Sequence, residues 1–222
     1  MTEQDYAPVE LTNNIHPRIT IRPMYFEMGF SPSPKMYARQ LVLTRLLAML
    51  QQLPQEYTLL IYDVYRPRAV QATLFNWMRN EIRKRMPHLS EHENYQETKK
   101  YAAEPSIVGD AYCAPHLSGG AIDLTLTDAS NGLACDMGTT FDDCTEKAHR
   151  NYYERKPPLT EEDREIKARR DLLQNLMEAV GFTSYQYEWW HFDIGDRLWS
   201  QITGQPEAFG PLFGDEEFVP FL

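Results

Sequence analysis

Two short stretches of the chain concentrate residues able to do chemistry. The first, APHLSGGAIDLTL over residues 114–126, sets His116 and Asp123 on either side of Ser118-Gly119-Gly120. The second, EWWH, sets Glu188 three residues ahead of His191. Glycine reaches positive φ without steric cost, so Ser-Gly-Gly reads as a tight turn. The alternation that follows, Ala121 to Leu126, reads as a strand. On it Asp123 shares a face with Ala121 and Thr125, while Ile122, Leu124 and Leu126 share the other. A carboxylate on the small-residue face suits a partly enclosed, polar pocket.

Two imidazoles and one carboxylate, from His116, Asp123 and His191, form a donor set suited to zinc, and three protein ligands leave one position open for water. A water on such an ion has its pKa lowered to about 7, and a neighbouring carboxylate can take its proton. Glu188 is the candidate for that base. Ideal strand alternation would put Glu188 and His191 on opposite faces, so this reading requires a twist or bulge at Trp189-Trp190. Arg66, in DVYRP, stands between an apolar strand and a helix N-terminus, where a rigid guanidinium can be aimed at a developing oxyanion. The competing role for Arg66 is a structural pair with Asp63.

The elements that must position these residues follow from periodicity. Residues 35–53 place Tyr37, Leu41, Leu47 and Leu50 near one helical face, which predicts an amphipathic helix. The apolar run from Tyr57 to Tyr62 predicts a buried strand. Pro67 suits the first turn of a helix whose stripe is Val70, Leu74, Trp77 and Met78, and Arg83-Lys84-Arg85 complement its C-terminal dipole before Pro87. Residues 87–112 are polar and charge-rich and read as a loop or peripheral insertion. TEED at 160–163 resembles a capping box opening a long helix, with Leu172, Leu173, Leu176, Met177 and Val180 facing inward and Gly181 ending it. Residues 185–194, YQYEWWHFDI, read as a strand, whereas Phe209, Phe213, Phe218 and Phe221 near the end follow no period. The expected architecture is a single α+β domain over residues 1–222, with a small antiparallel sheet carrying the metal ligands and helices packed behind it.

Composition narrows the function classes. Lys plus Arg number 22 against 32 for Asp plus Glu, and a net charge of −10 repels phosphate backbones, so nucleic acid is not an expected partner. No stretch reaches the ~20 apolar residues that span a bilayer. The N-terminus lacks a basic region and an apolar signal core, so a cytoplasmic location is expected. Cys113, Cys135 and Cys144 are odd in number and form no CxxC pair, which favours free thiols over a disulfide framework or thiolate chemistry. His88-Leu89-Ser90-Glu91-His92 fits H-x-x-E-H, a spacing that needs both histidines on one helical face. Pro87 and polar flanks argue instead for a solvated loop.

The ordered motifs YRP, PHxxGGAxDLTL and EWWH resemble the zinc-dependent D-alanyl-D-alanine dipeptidase family, which includes the vancomycin-resistance dipeptidases, over roughly residues 57–195. The resemblance implies a zinc DD-peptidase/Hedgehog-like fold, one zinc per chain on His116, Asp123 and His191, Glu188 as catalytic base and Arg66 as the transition-state arginine. It also implies, through DMGTTFDD at 136–143, that Asp142 receives the substrate ammonium. The implied substrate is a small peptide, D-Ala-D-Ala or a related D-containing dipeptide. A carboxypeptidase or endopeptidase acting on longer cell-wall peptides, and a non-catalytic binding protein, are the alternatives. Two departures touch substrate recognition: Ala114 replaces a serine linked in the family to the substrate carboxylate, and RPMYFEMGFSPSP matches the family's amine-binding stretch poorly.

Overall fold

The computed structural model describes residues 2–215. In chain order the strands are β1 (Pro8–Leu11), β2 (Ile19–Ile21), β3 (Met36–Arg39), β4 (Tyr57–Asp63), β5 (Ala121–Asp128), β6 (Thr183–Ser184) and β7 (His191–Asp193). The helices are α1 (Met24–Glu27), α2 (Gln40–Leu50), α3 (Arg68–Arg85), α4 (Glu91–Thr98), α5 (Glu161–Ala179) and α6 (Arg197–Thr203). The architecture is the expected α+β arrangement. A five-stranded sheet runs in the order β2-β4-β5-β7-β6, antiparallel throughout except for the β2-β4 pair, and β1 with β3 forms a separate antiparallel pair.

Strand register decides what each face of the sheet carries. Leu59 pairs with Leu126 and Ile61 with Leu124 across β4 and β5, and Ile122 pairs with Phe192 across β5 and β7. These residues join Leu46 and Met49 of α2 and Leu173 and Met177 of α5 in the main core. Plain alternation would send Asp63 to the core side with Ile61. A bulge between Ile61 and Asp63 shifts the register, so that Asp63 lies opposite Asp123. Asp123 in turn lies opposite His191. Three adjacent strands thus present Asp63, Asp123 and His191 in one row, with the apolar pairs packed on the other face.

The long helices form where periodicity and caps predict them. In α3, Val70, Leu74 and Met78 are buried, and the basic residues 83–85 occupy its last turn. At the start of α5 the Asp163 amide donates to Thr160 Oγ1 and the Thr160 amide to Asp163 Oδ2, both at 3.1 Å, a reciprocal cap. Among the described residues no helix is long and apolar enough to cross a membrane.

Three local expectations are corrected. Residues 36–39, read as the start of a helix, form β3 because they pair with β1, and α2 begins only at Gln40. Tertiary pairing overrides the helical pattern there. The stretch 87–112 is not irregular throughout: Ser90 caps α4, and Tyr101 and Ala102 are buried against Val70, Leu74 and Phe75 of α3. The expected strand over 185–194 is reduced to β7, and residues 186–187 and 189–190 are turns. Phe218 and Phe221 lie outside the described residues.

Candidate active site

His116 sits in a short 3₁₀ turn, Pro115–Ser118, that delivers the chain into β5. Gly119 ends the turn at φ 71°, the left-handed conformation that favours glycine. Gly120 serves close approach instead: a Cβ there would strike the Ile194 carbonyl oxygen and the Phe209 ring. The Ser-Gly-Gly turn is therefore what sets His116 beside the row formed by Asp63, Asp123 and His191.

His116 Nε2 lies 3.1 Å from His191 Nδ1 and 3.3 Å from Asp123 Oδ2, and His191 Nδ1 lies 2.9 Å from Asp123 Oδ1. The outer nitrogens fix how the rings are used. His116 Nδ1 is 2.6 Å from the Val64 carbonyl oxygen and 3.2 Å from Asp63 Oδ2, and His191 Nε2 is 2.8 Å from Asp193 Oδ1. Each outer nitrogen faces only acceptors and so carries a proton. In neutral rings the two inner nitrogens then have only lone pairs to turn toward each other and toward the Asp123 carboxylate. Such a cluster needs a cation at its centre, either a shared proton or a metal.

The donor set fits a metal. His116, Asp123 and His191, all buried, offer ligand atoms within 4.8 Å of one another, the one such group among the described residues. Tetrahedral zinc with nitrogen ligands at about 2.0–2.1 Å puts ligand atoms roughly 3.3 Å apart, close to the separations found here. Backbone and carboxylate acceptors behind both histidines supply the outer partners that orient metal-binding imidazoles. Burial disfavours charge on His191, but Asp193 and Asp123 outweigh it and hold the pKa well above the ordinary value. Burial likewise opposes ionisation of Asp123, yet His116 and His191 drive its pKa below the usual carboxylate range. The cluster is thus electrostatically arranged around positive charge.

Around this cluster a cavity of about 430 Å³ is lined by all six residues singled out in the sequence: Arg66, His116, Asp123, Asp142, Glu188 and His191. Glu188 Oε2 lies 3.8 Å from His191 Nδ1. The expected strand bulge at Trp189-Trp190 is replaced by a turn region before β7, so Glu188 is not bound by strand alternation. Burial pushes the Glu188 carboxyl well above its ordinary pKa.

Arg66 makes the structural pair with Asp63 and also lines the cavity beside Asp123. Its Nε and Nη2 reach Asp63 Oδ2 at 2.9 and 2.8 Å, while Nη1 donates to Gln71 Oε1 at 2.8 Å and Nη2 lies 3.4 Å from Asp123 Oδ2. Burial disfavours its charge, but Tyr25 and the carboxylates Asp63, Asp123 and Asp142 more than restore it. Asp142 stands at φ 59°, unusual for a residue with a side chain, and accepts from the Tyr25 hydroxyl at 3.2 Å through Oδ1. Its Oδ2 is buried with no hydrogen-bond partner among the described residues, and burial pushes its pKa up to about 7. Asp142 lines the cavity, and an orphan buried carboxylate oxygen is fitted to a cationic donor.

Sequence reading misses Tyr25, Asp63 as a partner of His116, and Asp193. Asp193 is accessible to it in principle, since it lies two residues beyond His191 on the same strand face. Tyr25 is not, because only the fold carries it from the poorly matching N-terminal stretch to Arg66 and Asp142. The H-x-x-E-H alternative fails: His88 precedes the α4 cap Ser90, while His92 lies exposed within the helix. Cys113 is buried with its thiol pushed up to about 12 by burial, which disfavours thiolate chemistry.

A family model described as D-Ala-D-Ala dipeptidase, Peptidase M15, matches residues 38–206. The chain belongs to this family. Members of the D-Ala-D-Ala dipeptidase family are zinc-dependent, in agreement with the His116, Asp123 and His191 group. A D-alanyl-D-alanine dipeptidase of Synechocystis sp. is 31% identical over 163 residues, 68% of this chain and 65% of that protein. One from Escherichia coli is 32% identical over 137 residues, 61% of this chain and 54% of that protein. One from Enterococcus faecalis is 31% identical over 145 residues, 63% of each. The chain thus matches less than two thirds of the length of each of these relatives.

Proposed function

We propose that the chain is a single metallopeptidase domain that hydrolyses a dipeptide with a free N-terminus, D-Ala-D-Ala or a related D-containing dipeptide. The observation that carries this reading is the convergence of a three-donor metal group, the Glu188 carboxyl outside that group, a fixed cation at Arg66 and Asp142, with its orphan Oδ2, on one cavity. The relatives bearing the dipeptidase name support it.

His116, Asp123 and His191 would hold a zinc ion, which would supply Lewis acidity and make a water acidic enough to lose its proton near neutral pH. Glu188 accepts that proton at its carboxylate and delivers it to the departing amine. Arg66 is locked by Asp63 and Gln71, so its guanidinium is already in place when negative charge develops on the scissile carbonyl oxygen. Asp142 holds the substrate ammonium through Oδ2, with Tyr25 fixing its other oxygen. Anchoring the amine at a set distance from the scissile bond restricts cleavage to the first peptide bond.

Initial rates on D-Ala-D-Ala, its N-acetyl form and a D-Ala tripeptide test this reading. The ammonium contact is a charge-assisted bond worth about 1.5–3 kcal/mol, so acetylation is expected to lower kcat/KM by roughly ten- to hundredfold. Equal rates on free and acetylated dipeptides would remove Asp142 from the site and favour a peptidase of longer substrates.

A further inference from the structure

Every dipeptide brings a C-terminal carboxylate as well as an ammonium, and the cavity must place that charge beyond the metal group. Four cationic side chains line the cavity: Arg66, Lys99, Lys100 and Arg197. Three are already matched. Arg66 is held by Asp63 and Asp123, Lys99 lies 3.5 Å from Glu104 Oε2, and Lys100 lies 2.6 Å from Glu97 Oε2. Arg197, at the start of α6, has no carboxylate partner among the described residues. Its guanidinium lies over the Tyr112 ring, 5.4 Å from the centroid. Tyr112 precedes His116 by four residues, and Pro115, next to His116, lines the same cavity.

In a chain of net charge −10, an arginine on the wall of an acidic cavity with no carboxylate partner among the described residues stands out. The cation–π contact with Tyr112 holds the guanidinium at the cavity wall without occupying its N–H groups with a carboxylate, the condition for a forked contact with one. The surrounding chain offers little in its place. Ala114 has no polar side chain, and its amide is spent on Ser106 Oγ at 2.8 Å. Ser118 Oγ is turned to the Pro115 carbonyl at 2.6 Å.

We propose that Arg197 is the specificity-determining residue that receives the C-terminal carboxylate of the substrate. This rests on the dipeptidase reading and adds the second anchor: Asp142 holds the ammonium and Arg197 the carboxylate. A two-ended clamp selects against peptides extended or blocked at either end.

The experiment measures kcat/KM of the zinc-loaded full chain on a free dipeptide, its C-terminal amide and its N-acetyl form, in wild type and Arg197→Gln. Arg197 is exposed, so the substitution spares the core. Wild type is expected to prefer the free acid over the amide by roughly ten- to hundredfold. Arg197→Gln is expected to bring that ratio near one while leaving the preference for the free amine unchanged. An unchanged acid-to-amide ratio in Arg197→Gln would overturn the proposal, as would a wild type indifferent to amidation. Loss of the ratio in Lys99→Gln alone would assign the carboxylate to Lys99 instead. A wild type that cleaves no dipeptide would overturn the dipeptidase reading itself, and the clamp with it.

Discussion

Glu188 faces the metal group without joining it. Its Oε2 is 3.8 Å from His191 Nδ1, whereas the three donors approach one another at 2.9–3.3 Å. Glu188→Gln should therefore keep about one zinc per chain and lose at least ~10²-fold in turnover, the usual contribution of a general base. Metal analysis alongside rate measurement checks both halves, and loss of zinc would make Glu188 a ligand. At this scale much is legible in the sequence. Histidine and aspartate flanking a glycine turn limit the chemistry through residue type and spacing alone. Asp142 is placed only through the family resemblance, and Tyr25 is invisible because its role arises from a meeting of segments 117 residues apart.

At the scale of elements, the irregular segment bearing Asp142 is tied down from α5. Arg170 donates from Nε to the Met137 carbonyl at 2.7 Å, from Nη1 to the His149 carbonyl at 3.1 Å and from Nη2 to the Lys147 carbonyl at 3.0 Å. Burial lowers its pKa only to about 10, so it stays charged at neutral pH. Arg170→Met leaves three carbonyls without this donor and should destabilise the fold by at least ~2 kcal/mol in urea titration. The α5 cap carries a pH signature. Lys156 first, and then the Thr160 amide, hold the Asp163 carboxyl below the ordinary value. Its stabilisation is therefore present above the unfolded value of about 3.9 and is lost as pH falls through the lower folded value. Asp163→Asn should melt earlier than wild type at pH 7 and together with it near pH 2. Caps of this kind are written locally and are readable. The bulge that turns Asp63 toward the site and the β1-β3 pairing are not, because both depend on partners distant in the chain.

For the whole molecule, the sheet divides the labour: one face joins α2 and α5 in the core, and the other, walled by the segment after α4 and by α6, holds the cavity. Residues 99–104 form that wall even though their composition alone suggests a solvated loop, since burial of Tyr101 and Ala102 against α3 cannot be read from polar neighbours. Because the cluster of buried inner nitrogens and carboxylate needs a central cation, zinc binding and stability are linked: chelation should lower the melting temperature, and zinc should restore it. The most direct measurement is zinc content per chain in the purified wild type, His116→Ala and His191→Ala. One zinc in the wild type and near none in either variant is expected. Full zinc in both variants would contradict the assignment of the site.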